Sequence, residues 1–383
     1  MDNEQLGNEE ESWIGVRLDP TALSSTPEQA VAGYKTRGRG AVSNSSGRFE
    51  AESREAFDDG WDNDELPVMK TEVSYESPKT IITKNQSPDI SFDRSINAYR
   101  GCEHGCSYCF ARPSHAYLGL SPGVDFETRL FAKPQAASLL EQELATPNYR
   151  PRTIAIGTNT DPYQPIERSH RITREILEVL DKTNHPVGIV TKSHLVTRDI
   201  DILSSMAKRG LVRVALSITT LDGKLARAME PRASTPQKRL DALRQLSDAG
   251  VPTSVMVAPI IPALNDNEIE TILEKAYEHG ARDAGYVLLR LPLEVSEIFK
   301  EWLLHHYPNK YRHVLNLLKS MRNGKEYDMA WGRRMRGSGP YADQIAKRMK
   351  MAAKRIGMTR RKDPLTTELF TPPEQQGSQL SLF

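Results

Sequence analysis

Cys102, Cys106 and Cys109 are the only three cysteines in 383 residues, and they stand together as Cys-Glu-His-Gly-Cys-Ser-Tyr-Cys. An odd, sparse count of this kind argues against a disulfide framework and leaves no thiol elsewhere for catalysis. Three thiolates on one tight loop can each bind a different iron of a cubane cluster. The fourth iron is then open to a substrate or cofactor. Zinc is the rival ligand, but a structural zinc site takes four protein ligands, and His104 or His115 would have to supply the fourth.

The formal net charge of +1 conceals a segregation. Residues 1–76 hold 17 acidic and 7 basic side chains, whereas residues 320–362 hold 13 basic and 3 acidic ones. The basic segment reads as a footprint for a polyanion, or as a solvated helical surface. No apolar run approaches the ~18 residues of a membrane span. The first residues, MDNEQLGNEEESW, lack the basic-then-apolar pattern of a secretion signal. A soluble, cytoplasmic protein with no membrane partner is expected.

Residues 1–90 have no sustained apolar period and read as an acidic, largely irregular leader. From there, short β-branched runs alternate with amphipathic helices. INAYRG leads into the cysteines, and TIAIG, VGIVTK, RVALSITT, TSVMVAPII and YVLLRLP follow, each succeeded by a helical pattern. Six such repeats predict an α/β fold with a parallel sheet covered on both faces. Chemistry placed after successive strands favours a partial (β/α)6 TIM-like barrel over an open doubly wound sheet. The barrel is expected over 91–306, a basic helical extension over 307–362, and a flexible tail over 363–383.

The cysteine motif carries an aromatic residue, Tyr108, immediately before its last cysteine, and in this it resembles the radical S-adenosylmethionine (SAM) superfamily. The resemblance implies a 4Fe-4S cluster on the three cysteines, with SAM chelating the open iron. Reductive cleavage of SAM would give a 5′-deoxyadenosyl radical, fed by an electron donor such as flavodoxin or ferredoxin. SINAYRGCEHGCSYCFARPSHAYLGL, GTNTDPYQPIE, VTKSH and LSITTLD are similar to the branch that includes spore photoproduct lyase. The RGRG of the leader and DFETRLFAKP (125–134) match a narrower bacterial group described as DNA-repair-photolyase-like.

The same resemblance assigns site residues. Tyr108 would stand beside the adenine, and Thr158, Asn159 and Asp161 would receive the methionyl ammonium. Lys192 would pair with the methionyl carboxylate, and Ser217 would contact the ribose. Glu230 and Arg232 would line the cleft, and Val257, Ala258 and Pro259 would pack on the adenine. A helix cap, a solvent-facing lysine and loop salt bridges are the plainer readings of these residues. Lyases of this branch use an additional cysteine as hydrogen-atom donor. With none to spare here, either Tyr163 or Tyr108 is the radical relay, or the radical is quenched through 5′-deoxyadenosine, or the reaction differs.

For the substrate, Trp331 with Arg333, Arg334 and Arg336 suggests contacts to DNA, with base repair or modification as the reaction. Radical modification of RNA or protein is the alternative, and a non-catalytic metal-binding nucleic-acid module is a third reading. The chain ends Gln379-Leu380-Ser381-Leu382-Phe383. This resembles the pentapeptide with which bacterial replication and repair proteins dock on the DNA polymerase sliding clamp, with Leu382 and Phe383 as the apolar anchors.

Overall fold

The computed structural model describes residues 38–50, 69–358 and 364–374. Among these residues ten strands run in chain order as β1 (Glu72–Tyr75), β2 (Thr83–Lys84), β3 (Arg94–Ile96), β4 (Tyr99–Arg100), β5 (Arg129–Ala132), β6 (Ile154–Ile156), β7 (Val187–Thr191), β8 (Val212–Ser217), β9 (Thr253–Ile260) and β10 (Asp283–Leu288). Seven of them make one sheet in the order β10-β9-β8-β7-β6-β3-β2. From β3 to β10 every neighbouring pair is parallel, and β2 is added antiparallel at one edge. Six parallel strands in sequential order, each β-branched run followed by a helix, give the partial barrel that the alternation predicts.

The helices cover the sheet with the faces that their periodicity dictates. In Ile172–Lys182 the buried side chains include Ile172, Ile176, Leu177, Val179 and Leu180. Ile200–Lys208, Pro236–Asp248 and Ile269–Glu278 repeat the pattern, and Gly210, Gly250 and Gly280 follow these helices in left-handed conformation.

Three features depart from the sequence expectation. A second sheet, with β5 between β1 and β4, puts ordered structure in the leader and in the DFETRLFAKP segment. Its strands are only two to four residues long, too short for alternation to betray them. Residues 364–374 of the tail pack on the body where flexibility was expected: Phe370 lies on Tyr149 and His185, and Thr371 N donates to Thr183 O at 2.9 Å. Two cations of the basic extension are paired rather than free, Arg348 with Glu270 and Arg355 with Glu274 on the helix Ile269–Glu278. Gln379, Leu380, Leu382 and Phe383 lie outside the described residues. Among the described residues no helix is long and apolar enough to cross a membrane.

The leader residues 38–41 pack directly on the cysteine loop. A Cβ at Gly40 would lie 1.5 Å from the Gly105 carbonyl oxygen, so only glycine fits. The Gly40 and Ala41 amides donate to the Glu127 carboxylate at 2.9 and 2.8 Å. Glu127 also receives the Arg112 guanidinium, and both side chains are fully buried. Removing one partner strands a charge in the interior. Glu127→Ala should therefore destabilise the fold by about 3–5 kcal/mol, read as a lower denaturant midpoint. A loss below ~1 kcal/mol would mean that water reaches the pair.

Candidate functional site

The strands deliver their C-terminal ends to one cavity of about 630 Å³. Its wall holds Asn97 after β3, Thr158 and Asn159 after β6, Lys192 after β7, Ser217 on β8, Ala258 and Pro259 on β9, and Arg290 after β10. Cys106, Tyr108, Cys109 and Phe110 close it from the cysteine loop. The volume lies within the ordinary range for sites of small molecules and cofactors.

The cysteine loop follows β4 and is fixed through its backbone. Cys102 N donates to Phe126 O at 2.9 Å, Glu103 N to Gln164 Oε1 at 2.9 Å and Ser107 N to Met229 O at 3.0 Å. Arg112, entirely buried, donates to the carbonyls of Cys106, Pro122 and Gly123. Gly101 and Gly105 take positive φ, which lets the chain turn back sharply around the thiols. Cys102 and Cys106 are buried and Cys109 is half-buried. Burial pushes the Cys102 thiol well above its usual range and, with the Glu230 carboxylate nearby, pushes Cys106 up to about 12.

The donor set fits an iron–sulfur cube better than one ion. Among the described residues no group of three His, Cys, Asp or Glu side chains converges as the ligands of a single metal. A cubane instead takes each thiolate on a separate iron. The two candidate fourth ligands for zinc are engaged elsewhere. His104 Nδ1 lies 3.4 Å from Asp161 Oδ2, and His115 Nε2 lies 2.9 Å from the Arg129 carbonyl.

Two buried carboxylates organise the residues around the thiols. Asp161 accepts from Thr191 Oγ1 at 2.6 Å and from the Lys192 and Tyr163 amides at 2.7 and 2.9 Å. Burial raises its pKa, but the His104 interaction and these hydrogen bonds win and hold it at about 2. Glu230 accepts from Thr219 at 2.6 Å and from Tyr108 and Arg239. It too is held at about 2, the burial penalty being outweighed chiefly by Arg239 and Lys192. Burial lowers the pKa of the Lys192 ammonium, yet Cys106 and Glu230 outweigh it and raise the value overall. Lys192 thus stays charged at the cavity wall, its Nζ 5.9 Å from the Tyr108 ring.

Several sequence expectations meet here and others do not. Tyr108, Thr158, Asn159, Lys192 and Ser217 share the wall, as do Ala258 and Pro259. Ser217 Oγ donates to Ala258 O at 3.0 Å. Asp161 is off the wall, because its oxygens are spent joining the cysteine loop to the end of β7. Arg232 is also off it, paired with Glu103 at 3.0 Å, and Glu230 lies behind Tyr108. Tyr163 is 1% exposed and packs beneath Arg198, off the cavity wall. Burial, with Asp199 and Glu167 nearby, raises its pKa well above the usual phenol value.

The basic segment is likewise sorted by contact. Arg322 is completely buried and donates to the carbonyls of Leu289, Arg333 and Arg334. Arg333 is half-exposed with Asp328 at 3.3 Å, and Arg336 stacks on Tyr286. Arg334 makes a bidentate pair with Asp89 and lies 4.2 Å over the exposed Trp331 ring. It is therefore not a free phosphate contact, as the sequence had suggested. Asp89 sits in the turn between β2 and β3, so this pair spans the two edges of the open barrel.

Lys192 and Ser217 give a direct test. Lys192→Met should weaken SAM binding by roughly 1.5–3 kcal/mol while iron content is kept, and Ser217→Ala should weaken it less. Equal affinity in wild type and both variants would take them out of the cofactor pocket.

The sequence matches the radical SAM superfamily over residues 96–276. It is 36% identical over 230 residues to the uncharacterised protein Rv2578c of Mycobacterium tuberculosis, covering 59% of this chain and 68% of that one. It is 30% identical over 247 residues to the uncharacterised protein MJ0683 of Methanocaldococcus jannaschii, covering 64% of this chain and 88% of that one. Its fold is similar to spore photoproduct lyase complexed with dinucleoside spore photoproduct, with a TM-score of 0.55 at 18% identity, over 74% of this chain and 79% of that one.

Proposed function

This chain belongs to the radical SAM superfamily, and from that premise we propose that it acts on DNA, in base repair or modification. Its cofactors are a 4Fe-4S cluster and SAM, and it requires an electron donor, for which a flavodoxin or ferredoxin is proposed. When bound and reduced, the pair supplies radical hydrogen abstraction. Cys102, Cys106 and Cys109 would hold the cluster. Lys192, Thr158, Asn159 and Ser217 would hold SAM, and Tyr108 would flank it.

The observation that carries the reading is the shared wall. Two of the three cysteines, the only lysine on it and the residues at successive strand ends all face one cavity. Beyond the cysteine loop the wall becomes apolar and aromatic, through Ile90, Phe92, Phe110, Val287 and Met335, with Arg290 and Arg334 among them. Such a surface suits an unstacked base beside a charged backbone. RNA or protein as substrate is the competing reading, and the same assays separate them.

Anaerobic reconstitution should yield about four irons per chain, lost together in Cys102→Ala, Cys106→Ala or Cys109→Ala. Dithionite should then release 5′-deoxyadenosine from SAM. Stoichiometric zinc with no SAM cleavage would refute the cofactor assignment. For the substrate, duplex or damaged DNA should bind with an affinity that falls steeply against log salt.

The terminal QLSLF is proposed to dock on the bacterial sliding clamp, with Gln379 at the pocket edge and Leu380, Leu382 and Phe383 in the apolar cleft. A labelled 371–383 peptide should bind purified clamp in a polarisation assay, and the Leu382→Ala, Phe383→Ala double variant should not. No binding at tens of micromolar would eliminate this partner.

A further inference from the structure

The cavity wall carries three cations, Lys192, Arg290 and Arg334, and no carboxylate. Two of the three have an anionic partner within the protein. Lys192 has the ionised Glu230 carboxylate nearby. Arg334 places both arms of its fork on Asp89, at 2.6 and 2.7 Å, and adds Ser87 Oγ at 3.0 Å.

Arg290 has no such partner. Among the described residues its hydrogen bond goes to the Met335 thioether, Nη1 to Sδ at 3.1 Å, and no carboxylate lies within ion-pair distance. A guanidinium offers five donors, and a thioether is a weak acceptor for one of them. Its neighbours sharpen the imbalance. Burial opposes its charge and Arg334 repels it, while Tyr327, Asp89 and the Cys109 thiol favour it only at range. Keeping a half-buried guanidinium in this state is costly unless a ligand completes it.

The group also sits over an aromatic ring. Its Cζ lies 4.4 Å from the ring centroid of Phe110, the residue next to Cys109. A guanidinium fork matches two oxygens of one tetrahedral anion.

We infer that Arg290 is the subsite for a substrate phosphate, which places one phosphodiester of a nucleic-acid strand beside Phe110 and presents the adjoining base to the apolar wall. The inference rests on the reading of DNA as substrate. Arg290 binds and orients; no bond to it forms or breaks.

The test is equilibrium binding of the reconstituted, SAM-loaded protein to thymidylyl-thymidine monophosphate and to its uncharged methylphosphonate analogue. Wild type should prefer the charged probe by roughly ten- to a hundredfold. Arg290→Met should erase the preference, and Arg290→Lys, which keeps the charge without the fork, should retain part of it. Iron content and melting temperature of the variants report on folding. If wild type prefers the charged probe and Arg290→Met does so equally, the phosphate is bound elsewhere; the Arg290 subsite falls and the DNA reading stands. Equal binding of both probes by wild type also overturns the subsite. If neither probe nor a longer oligonucleotide binds wild type, the DNA reading fails and takes the subsite with it.

Discussion

The buried pair of Arg112 and Glu127 is the contact on which the site depends. Its two side chains are completely enclosed, and between them they hold the Cys106 carbonyl, the 122–123 turn and the Gly40 and Ala41 amides. A charge pair in the interior has to recover a large desolvation cost, and it does so only when its remaining donors and acceptors are also satisfied. Here the backbone of the cysteine loop and of the leader supplies them. The thiols are thereby placed by a rigid polar knot rather than by apolar packing alone.

That knot explains why RGRG and DFETRLFAKP accompany the cysteine motif. Gly40 is required because the Gly105 carbonyl occupies the space of a side chain. Arg39 donates to the carbonyls of Glu127 and Met69, drawing the leader across the loop. Asp161 and Glu230 work in the same manner one layer out, each ionised because cationic and hydrogen-bonding partners outweigh burial. Three carboxylates thus fix the loop from three sides, and the cavity wall is left with cations.

The barrel was legible in the sequence because its strands are buried on both faces and its helices keep a clear period. The wall positions at Thr158, Asn159, Lys192 and Ser217 follow from that register, since the ends of parallel strands face one rim. The supporting charges were harder to read. Arg239 shares a helical face with Leu243 and Leu246 and is 2% exposed, so a charge on an apolar stripe was the available signal for Glu230's partner. Asp161 was misplaced because a turn carboxylate looks the same whether it faces ligand or backbone. Arg334 was misread for a related reason: proximity in sequence to other arginines does not reveal what a side chain already touches. Arg290, in the run YVLLRLP, gave a single cation at a strand end and no pattern.

A partial barrel, unlike a closed one, has two free sheet edges, and free edges invite other strands. At β2 the exposed edge is only two residues long and includes Lys84. At β10, Leu288 N is already taken by the Met335 carbonyl at 3.0 Å. The loop that shapes one side of the cavity therefore also occupies the last donor of that edge. Loosening residues 333–336 to admit a larger substrate would free it, so that the breadth of what this protein can accept is tied to how fully its sheet edge is covered.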